Sequence, residues 1–493
     1  MIYNFNLGIG WASSGVEYAQ IYRARMFRNI GVDAKFVFTD MFPQENIEHM
    51  TKNIGFEDSE VIWLYTFFTD FKTVPVTYTL SDLEKTFTNQ EYTKKREGKI
   101  CRYVFNGSNN FYTAYMVNDQ DDFVHRVEMV SGGCLIRKDY FTYGRVYSEY
   151  YAPLDNAAHL YHRRFFNEDG SVAYEEIIDD DRVMYKFKDK MLCSKEEFVG
   201  YMVSQLHLTK DDVVLIDRST DIGQSIIMNC KPARVGTVVH ADHFSEKDTN
   251  EDYILWNNFY EYEFNMHKHI DFYICSTQAQ SDLMVQQFEK YYGVTPCIYT
   301  IPVGSLPELK YPKENRKPFS LITASRLASE KHVDWICKAV IQARSEVPEL
   351  SLDIYGEGGE KSKLETIIRE NKASSYIHLM GQHDLSEVYQ NYEAYVAGST
   401  SEGFGLTLME AVGGGLPIIG FDVRYGNPTF IRDGENGYLI SLPEEDKDRV
   451  EALRKGIVDL FKQDLEHCHS VSYEVAGDFL TSNVQEKWRE AVC

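Results

Sequence analysis

Two cations stand close together after an apolar segment in the last third of the chain. Arg326 and Lys331 follow Phe319–Ala324, whose composition is typical of a buried parallel strand. Cations at the edge of a cleft can neutralise a diphosphate and stabilise it as a leaving group. For these two residues taken alone, an ordinary solvated charge pair is the simpler interpretation.

A glycine-rich segment, Ser399–Glu410, follows another predicted strand and begins a predicted helix. Gly403 and Gly405 allow the backbone to come close to a ligand. The amides of Gly405 and Leu406 are then expected at a helix N-terminus, which favours anionic oxygen. Phe404, between the two glycines, is included in this predicted binding loop.

Two glutamates belong to the same segment. Glu402 precedes the predicted helix and Glu410 lies inside it, with seven residues between them. A carboxylate near a helix start can accept hydrogen bonds from sugar hydroxyls, and the second carboxylate can bind a ribose diol. The alternative, acids that complement the helix macrodipole, accounts for Glu402 but poorly for the neighbouring glycines.

Two further candidates follow predicted strands in the first half of the chain. The loop Gly8–Gly15 connects a predicted strand to a predicted helix, a suitable context for facing a phosphate or a sugar, although one glycine loop is a weak signal. His240 follows the apolar run Val235–Val239, at the strand end where open α/β sheets place ligand contacts. A structural histidine is the commoner case. His240 and His243 lack an evident third metal ligand, so we predict no metal site.

The elements that must position these residues form an α/β pattern with one interruption. Strand-like runs alternate with helical segments in residues 1–70 and 191–312, and again in 313–493 after a polar linker. Between them, residues 71–190 carry short aromatic runs separated by Asn, Asp and Gly, which indicates an antiparallel β-meander. The sequence therefore predicts two doubly wound α/β domains with an inserted β-sheet domain, and a cleft between the α/β domains.

Composition excludes several classes of function. The chain has 493 residues, with 51 Lys and Arg against 75 Asp and Glu, a net charge of −24. Such a surface repels nucleic-acid phosphate. Nine cysteines without a C-x-x-C pair argue against a disulfide scaffold and are typical of a reduced, cytosolic protein. We expect no signal peptide, and the sequence shows no apolar run long enough to cross a bilayer.

These motifs together resemble the retaining glycosyltransferases of the GT-B fold, family 4. A longer match, essentially end to end, resembles the accessory-Sec glycosyltransferases of Gram-positive bacteria, the GtfA family. The resemblance rests on the following segments: Arg326 to Lys331, Gly356–Gly358, Glu402 to Glu410, Ile301–Gly304, Gly8–Tyr18, the β insert, Val239–His243 and Asn250–Asn258. It implies a GT-B fold of two Rossmann-like domains.

The resemblance also implies an activity and a partner. Members transfer N-acetylglucosamine from UDP-GlcNAc to Ser and Thr of serine-rich repeat adhesins before export. They act with a homologous GtfB-like subunit in a hetero-oligomer, expected to be a heterotetramer. Residues 1–70 and 191–312 would be the acceptor side, the insert would contact partner and acceptor, and 313–493 would bind the donor, its last helix being a candidate to cross back. The location implied is the cytoplasm, peripheral to the inner face of the membrane through the partner.

Site roles follow from the same resemblance. The departing phosphate takes the acceptor proton in a same-face reaction, so the protein mainly positions reactants and stabilises leaving-group charge. No cofactor beyond the UDP-sugar and no metal is expected, because two cations replace it. The predicted catalytic residues are His240, Arg326, Lys331 and Glu402; the predicted donor-binding residues are Gly15, His240, Arg326, Lys331, Glu402, Phe404, Gly405, Leu406 and Glu410.

Alternatives remain open at this point. The donor could be UDP-glucose, or the chain could be a non-catalytic sugar-nucleotide-binding partner subunit, although such a subunit should have lost some of Arg326, Lys331, Glu402 and Glu410. A lipid or small-glycoside acceptor is mildly disfavoured, because the chain lacks a basic amphipathic surface. A nicotinamide enzyme is discounted, because Gly8–Gly15 lacks a clean G-x-G-x-x-G pattern.

Overall fold

The computed structural model describes residues 1–9, 15–88, 90–107 and 109–493. Gly10–Ser14, within the predicted loop Gly8–Gly15, thus lie outside the described residues. Contacts divide the chain into two compact units. The first comprises 1–24, 32–237 and 258–271, and the second comprises 25–31, 238–257 and 272–493. The domain limits given above remain a prediction.

The first unit contains a parallel sheet, as the apolar runs predict. Its neighbouring strands follow the order β3-β2-β1-β14-β15, with every pair parallel. The strands are β1 (Ile2–Asn6), β2 (Ala34–Phe38), β3 (Val61–Trp63), β14 (Val213–Ile216) and β15 (Arg234–Val239). The last two residues of β15 belong to the second unit.

The predicted β-meander is confirmed. Its ten strands are hydrogen-bonded in chain order, and each neighbouring pair is antiparallel. The strands are β4 (Tyr92–Glu97), β5 (Ile100–Phe105), β6 (Phe111–Met116), β7 (Val124–Ser131), β8 (Cys134–Phe141), β9 (Arg145–Leu154), β10 (Ala157–Phe166), β11 (Val172–Asp179), β12 (Arg182–Lys186) and β13 (Met191–Leu192).

The meander shares an aromatic core with the rest of the first unit. The Tyr185 ring stacks on Phe198 with centroids 4.1 Å apart, and Phe165 stacks on Tyr65 at 5.7 Å. The Tyr174 hydroxyl donates a hydrogen bond to the Tyr65 carbonyl oxygen at 2.7 Å. Many of the insert's aromatic residues therefore fill a core.

The second unit contains a six-stranded parallel sheet in the order β22-β21-β20-β23-β24-β25. Successive residues of its central strand, Leu321 and Ile322, belong to separate core clusters, so both faces of the sheet are covered. The strands are β20 (Ser320–Ala324), β21 (Ser351–Tyr355), β22 (Ile377–Gly381), β23 (Ala394–Val396), β24 (Ile418–Phe421) and β25 (Gly437–Ile440).

Shorter strands and the helices complete the described structure. The second unit also holds the parallel pair β18 (Phe272–Cys275) and β19 (Ile298–Thr300) and the antiparallel pair β16 (Phe244–Ser245) and β17 (Leu255–Trp256). The helices are α1 (Gly15–Ile30), α2 (Ile47–Ile54), α3 (Leu80–Glu84), α4 (Lys195–Gln205), α5 (Gly223–Asn229), α6 (Glu261–Asn265), α7 (Gln278–Tyr292), α8 (Val333–Ala343), α9 (Lys361–Glu370), α10 (Leu406–Gly413), α11 (Gly426–Phe430), α12 (Asp446–Leu460), α13 (Leu465–Gly477) and α14 (Thr481–Val492). Among these described helices, none combines the length and apolarity needed to span a bilayer.

Candidate functional site

The loop after β20, which carries Arg326, is fixed by a glycine turn after β21. Leu327 donates its amide to the Glu357 carbonyl oxygen at 2.9 Å, and Ser325 donates to Tyr355 at 3.1 Å. Gly356 has φ +129°, and a Cβ there would lie 1.9 Å from the Ser325 carbonyl oxygen. Only glycine therefore lets the two loops come this close.

Lys331 and Glu402 form an ion pair between two different loops. The Lys331 ammonium lies 2.6 Å from Glu402 Oε2, and the side chains are only 23% and 19% exposed. The structure thus brings together two of the predicted catalytic residues. An ammonium group has three N–H donors, so Lys331 can bind Glu402 and a phosphate oxygen at the same time.

The glycine-rich loop leads into helix α10, as predicted. Gly405 is the residue before the helix, has φ +88°, and offers no side chain to cap it. The first amides of α10, starting at Leu406, are therefore available to anionic oxygen. Tyr395 fixes this helix start to the end of β20, because its hydroxyl donates to the Ala324 carbonyl oxygen at 2.9 Å and also lies 3.1 Å from Thr407 Oγ1.

Phe404 has a different environment from that of the glycines on either side. Its ring is buried, with 6% exposure, and packs edge to face on Phe430 with centroids 5.2 Å apart. A contact between Phe404 and a donor could therefore come only from its main chain.

Glu410 lies within α10, partly buried, and is held by a tyrosine. The Tyr389 hydroxyl donates a hydrogen bond to Glu410 Oε2 at 3.1 Å. Burial raises the pKa of the Glu410 carboxyl, and the Tyr389 hydrogen bond opposes that rise. The remaining carboxylate oxygen provides an acceptor for a ligand hydroxyl.

His240 follows β15 and lies beside the glycine-rich loop. A Cβ built on Gly403 would be 3.6 Å from the His240 carbonyl oxygen, so the two backbones are neighbours. Tyr425 connects the same two segments, because its amide donates to the Glu402 carbonyl oxygen at 2.5 Å and its hydroxyl lies 3.2 Å from His243 Nδ1. Burial lowers the pKa of His243 to about 4, so its ring is neutral at physiological pH.

Two further predicted residues, Arg326 and Gly15, are exposed. Arg326 is 74% exposed and pairs with Glu330 at 2.8 Å, in a geometry typical of a surface ion pair. Gly15 begins α1 in the first unit and is exposed. The roles predicted for both residues stay predictions.

The arrangement favours binding of an anion and a polyol. Lys331 and the α10 amides supply positive potential, and Glu402 and Glu410 supply acceptors for hydroxyl groups. Within the described part of the chain, no three His, Cys, Asp or Glu side chains are grouped to hold a metal ion. Independence from metal stays a prediction.

Sequence reasoning missed the residues that hold the site together. Tyr389, Tyr395 and Tyr425 each contact a predicted residue or its loop, yet none belongs to a motif. One signal was available for Tyr395, because it lies in a strand beside the glycine-rich segment. Tyr389 and Tyr425 are brought in by the fold alone.

Two family models match the chain. The model described as GtfA extended beta-sheet domain matches residues 93–189, within the meander. The model described as Glycosyl transferases group 1 matches residues 308–475, within the second unit.

Full-length relatives are similar to the whole chain. The UDP-N-acetylglucosamine–peptide N-acetylglucosaminyltransferase GtfA subunit of Streptococcus agalactiae is 52% identical, covering 99% of this chain and 97% of the relative. The crystal structure of a GtfA/B complex matches with a TM-score of 0.96 and 52% identity, covering 100% and 99%. The pneumococcal O-GlcNAc transferase GtfA, crystallised with UDP and GlcNAc, matches with a TM-score of 0.86 and 50% identity, covering 100% and 98%.

Replacing Glu410 by Gln should change how stability depends on pH. Since burial raises the pKa of Glu410 in the folded chain, its protonated form contributes stability that is lost as pH rises through that pKa. The thermal midpoint of Glu410→Gln minus that of the wild type should therefore increase between about pH 4 and about pH 8. The exposed Glu365→Gln variant is the control, and an equal slope in both variants would contradict the assignment.

Proposed function

The chain belongs to the GtfA family of glycosyltransferase subunits, and on that premise we propose that it transfers N-acetylglucosamine from UDP-GlcNAc to Ser and Thr hydroxyls of a polypeptide. It has the GT-B fold with an inserted antiparallel sheet. The observation that carries the proposal is the Lys331–Glu402 ion pair beside the α10 N-terminus.

The second unit is the proposed donor site. Lys331 and the amides of Gly405 and Leu406 hold the diphosphate, because they combine a cation with a helix start. Glu402 accepts a hydrogen bond from the hexose, and Glu410 accepts one from the ribose diol. UDP and GlcNAc are the molecules bound to the pneumococcal relative, and their charge and hydroxyl groups suit this set of residues.

The remaining predicted donor contacts complete the same proposal. His240 contacts the hexose from the strand end that neighbours Gly403. Phe404 contributes its main chain, since its ring is buried. Arg326 supports the diphosphate by moving its exposed guanidinium from Glu330. Gly15 is included as a further donor contact through its main chain.

The proposed reaction proceeds with retention. The acceptor hydroxyl oxygen attacks the anomeric carbon on the face from which UDP leaves, and the bond from that carbon to the β-phosphate oxygen breaks. The departing phosphate accepts the hydroxyl proton, so no protein base is required. The protein positions the reactants and stabilises the negative charge that develops on UDP.

The chain is proposed to act with a GtfB-like partner, as the related GtfA/B complex suggests. We assign the partner and acceptor contacts to the meander, and the heterotetrameric state follows the family resemblance. The acceptor is a serine-rich repeat adhesin before export. The assembly works in the cytoplasm, peripheral to the inner face of the membrane through the partner.

Two alternatives are weaker. UDP-glucose shares the diphosphate and ribose and differs by one acetamido group, so the site residues named above fit both donors. UDP-GlcNAc is preferred because the full-length relatives are named for it and the pneumococcal relative binds UDP and GlcNAc. A non-catalytic subunit is disfavoured, because Lys331, Glu402 and Glu410 are all present and the structure pairs the first two.

Lys331→Ala should lower turnover with UDP-GlcNAc by raising the activation barrier by roughly 2–4 kcal/mol, the scale seen when a charge-stabilising group is deleted. The reason is that UDP then leaves without the positive charge of Lys331. Glycosylation of a Ser-rich polypeptide by the complex with the partner measures the effect, with Lys455→Ala as the exposed control on α12. Unchanged turnover would remove Lys331 from the diphosphate site.

Val104→Asp should weaken binding of the partner subunit by about tenfold or more, equivalent to about 1.4 kcal/mol. Val104 is 43% exposed on β5 of the meander, and an interface there would have to bury the new carboxylate. Sedimentation or calorimetry measures the affinity, and Met228→Asp, at an exposed apolar residue on α5, is the control. Equal effects of both substitutions would contradict the assignment of the partner surface.

A further inference from the structure

The first unit contains a pocket that the donor site does not use. Its volume is about 440 Å³, within the range of ligand-binding pockets. It lies between the loop that follows β14 and the segment that leads into α6. The carboxyl end of a parallel strand is where open α/β sheets place ligands.

The floor of the pocket is a buried Ser219–Glu263 hydrogen bond. The Ser219 hydroxyl donates to Glu263 Oε1, and the two residues are 4% and 1% exposed. A Cβ on Gly223 would lie 2.8 Å from that same carboxylate oxygen and 3.0 Å from the Ser219 hydroxyl. A larger residue at position 223 would therefore press on this pair. Burial raises the pKa of the Glu263 carboxyl.

The loop that carries Ser219 is anchored from below. Asp217 is the first residue of this loop after β14. Its carboxylate accepts hydrogen bonds from both terminal nitrogens of Arg23, at 2.7 and 2.9 Å. Both side chains are buried. A buried ion pair thus ties the loop that carries Ser219 to helix α1.

The rim is acidic, amide-rich and partly aromatic. Asp221 and Glu261 add two exposed carboxylates, Gln224 and Asn258 add amide groups, and the Phe259 ring is 50% exposed. Among the described residues that line the pocket there is no Lys or Arg. Carboxylates accept hydrogen bonds from hydroxyl and amide donors and repel anions. This chemistry is opposite to that of the donor site, where Lys331 and a helix N-terminus attract phosphate.

We propose that this pocket is a subsite for the acceptor polypeptide and selects it by charge. It binds the residues that flank the modified Ser or Thr, taking hydroxyl-rich, uncharged or basic segments and rejecting acidic ones. The side-chain amides satisfy the peptide backbone, the carboxylates accept from Ser and Thr hydroxyls, and Phe259 covers an apolar face. This inference rests on the proposed function, whose acceptor it specifies.

A charge-swap experiment tests the proposal on the complex with the partner subunit. The acceptors are three Ser-rich peptides of equal length, flanked by Lys, by Gly or by Glu. For the wild type, KM should be lower for the Lys-flanked than for the Glu-flanked peptide. Glu261→Lys should lower the ratio of the KM for the Glu-flanked peptide to the KM for the Lys-flanked peptide by about five- to tenfold, the scale expected for reversing an exposed charge.

Two further variants make the result specific. Asp221→Asn removes one carboxylate without straining the backbone, since Asp221 has φ +69° and Asn tolerates that region, and it should move the KM ratio in the same direction. Asp211→Lys changes an exposed acid outside the pocket and should leave the ratio unchanged. Calorimetric binding of UDP-GlcNAc should be unaffected in all three variants.

The outcomes separate the inference from the function it rests on. If the wild type glycosylates the peptides but Glu261→Lys and Asp221→Asn keep the wild-type KM ratio, the pocket is not an acceptor subsite, while the transferase assignment stands. If the wild-type complex binds UDP-GlcNAc but modifies none of the peptides, the polypeptide acceptor itself is wrong and both proposals fall.

Discussion

The Lys331–Glu402 ion pair is the interaction on which the proposed donor site depends. It joins the loop after β20 to the loop after β23, at the carboxyl edge of the second unit's sheet. Without Glu402, a partly buried ammonium would face the α10 N-terminus, whose potential is also positive. The pair therefore lets a cation and a helix start occupy the same place, and a diphosphate can then use both. The Glu402 carboxylate oxygen that does not pair with Lys331 is available to sugar hydroxyls.

Close approach of backbones is the second requirement, and glycine meets it. Gly356 lets the turn after β21 pack on the loop of Arg326, and Gly405 turns the chain into α10 with φ +88°. Three tyrosines then hold these segments by hydrogen bonds. Tyr395 acts at the start of α10, Tyr389 binds Glu410, and Tyr425 connects Glu402 to His243. The site is thus a set of loops held by buried hydroxyls on a fully covered sheet, which suits a reaction that relies on positioning.

Local pattern was enough to predict the elements and to place the candidates at strand and helix ends. The predicted run Val235–Val239 lies within β15, and Phe319–Ala324 begins one residue before β20, because short apolar runs leave few alternatives in an α/β chain. Pairings across the chain could not be predicted. Lys331 and Glu402 are 71 residues apart, and Glu410 and Tyr389 are 21 apart, so no spacing rule connects them. The burial of the Phe404 ring could not be predicted either, because it depends on contact with Phe430 and no pattern in the neighbouring sequence indicates it. The acidic pocket over Ser219 and Glu263 also joins segments that are distant in sequence.

The most direct test of the account is a calorimetric titration of the purified chain with UDP, UDP-GlcNAc and UDP-glucose in parallel. It requires neither partner nor acceptor, so it isolates the donor site of the second unit. The account predicts that UDP-GlcNAc binds more tightly than UDP and more tightly than UDP-glucose, and that Lys331→Ala weakens all three. Absence of binding by all three nucleotides, both alone and with the partner subunit present, would contradict it.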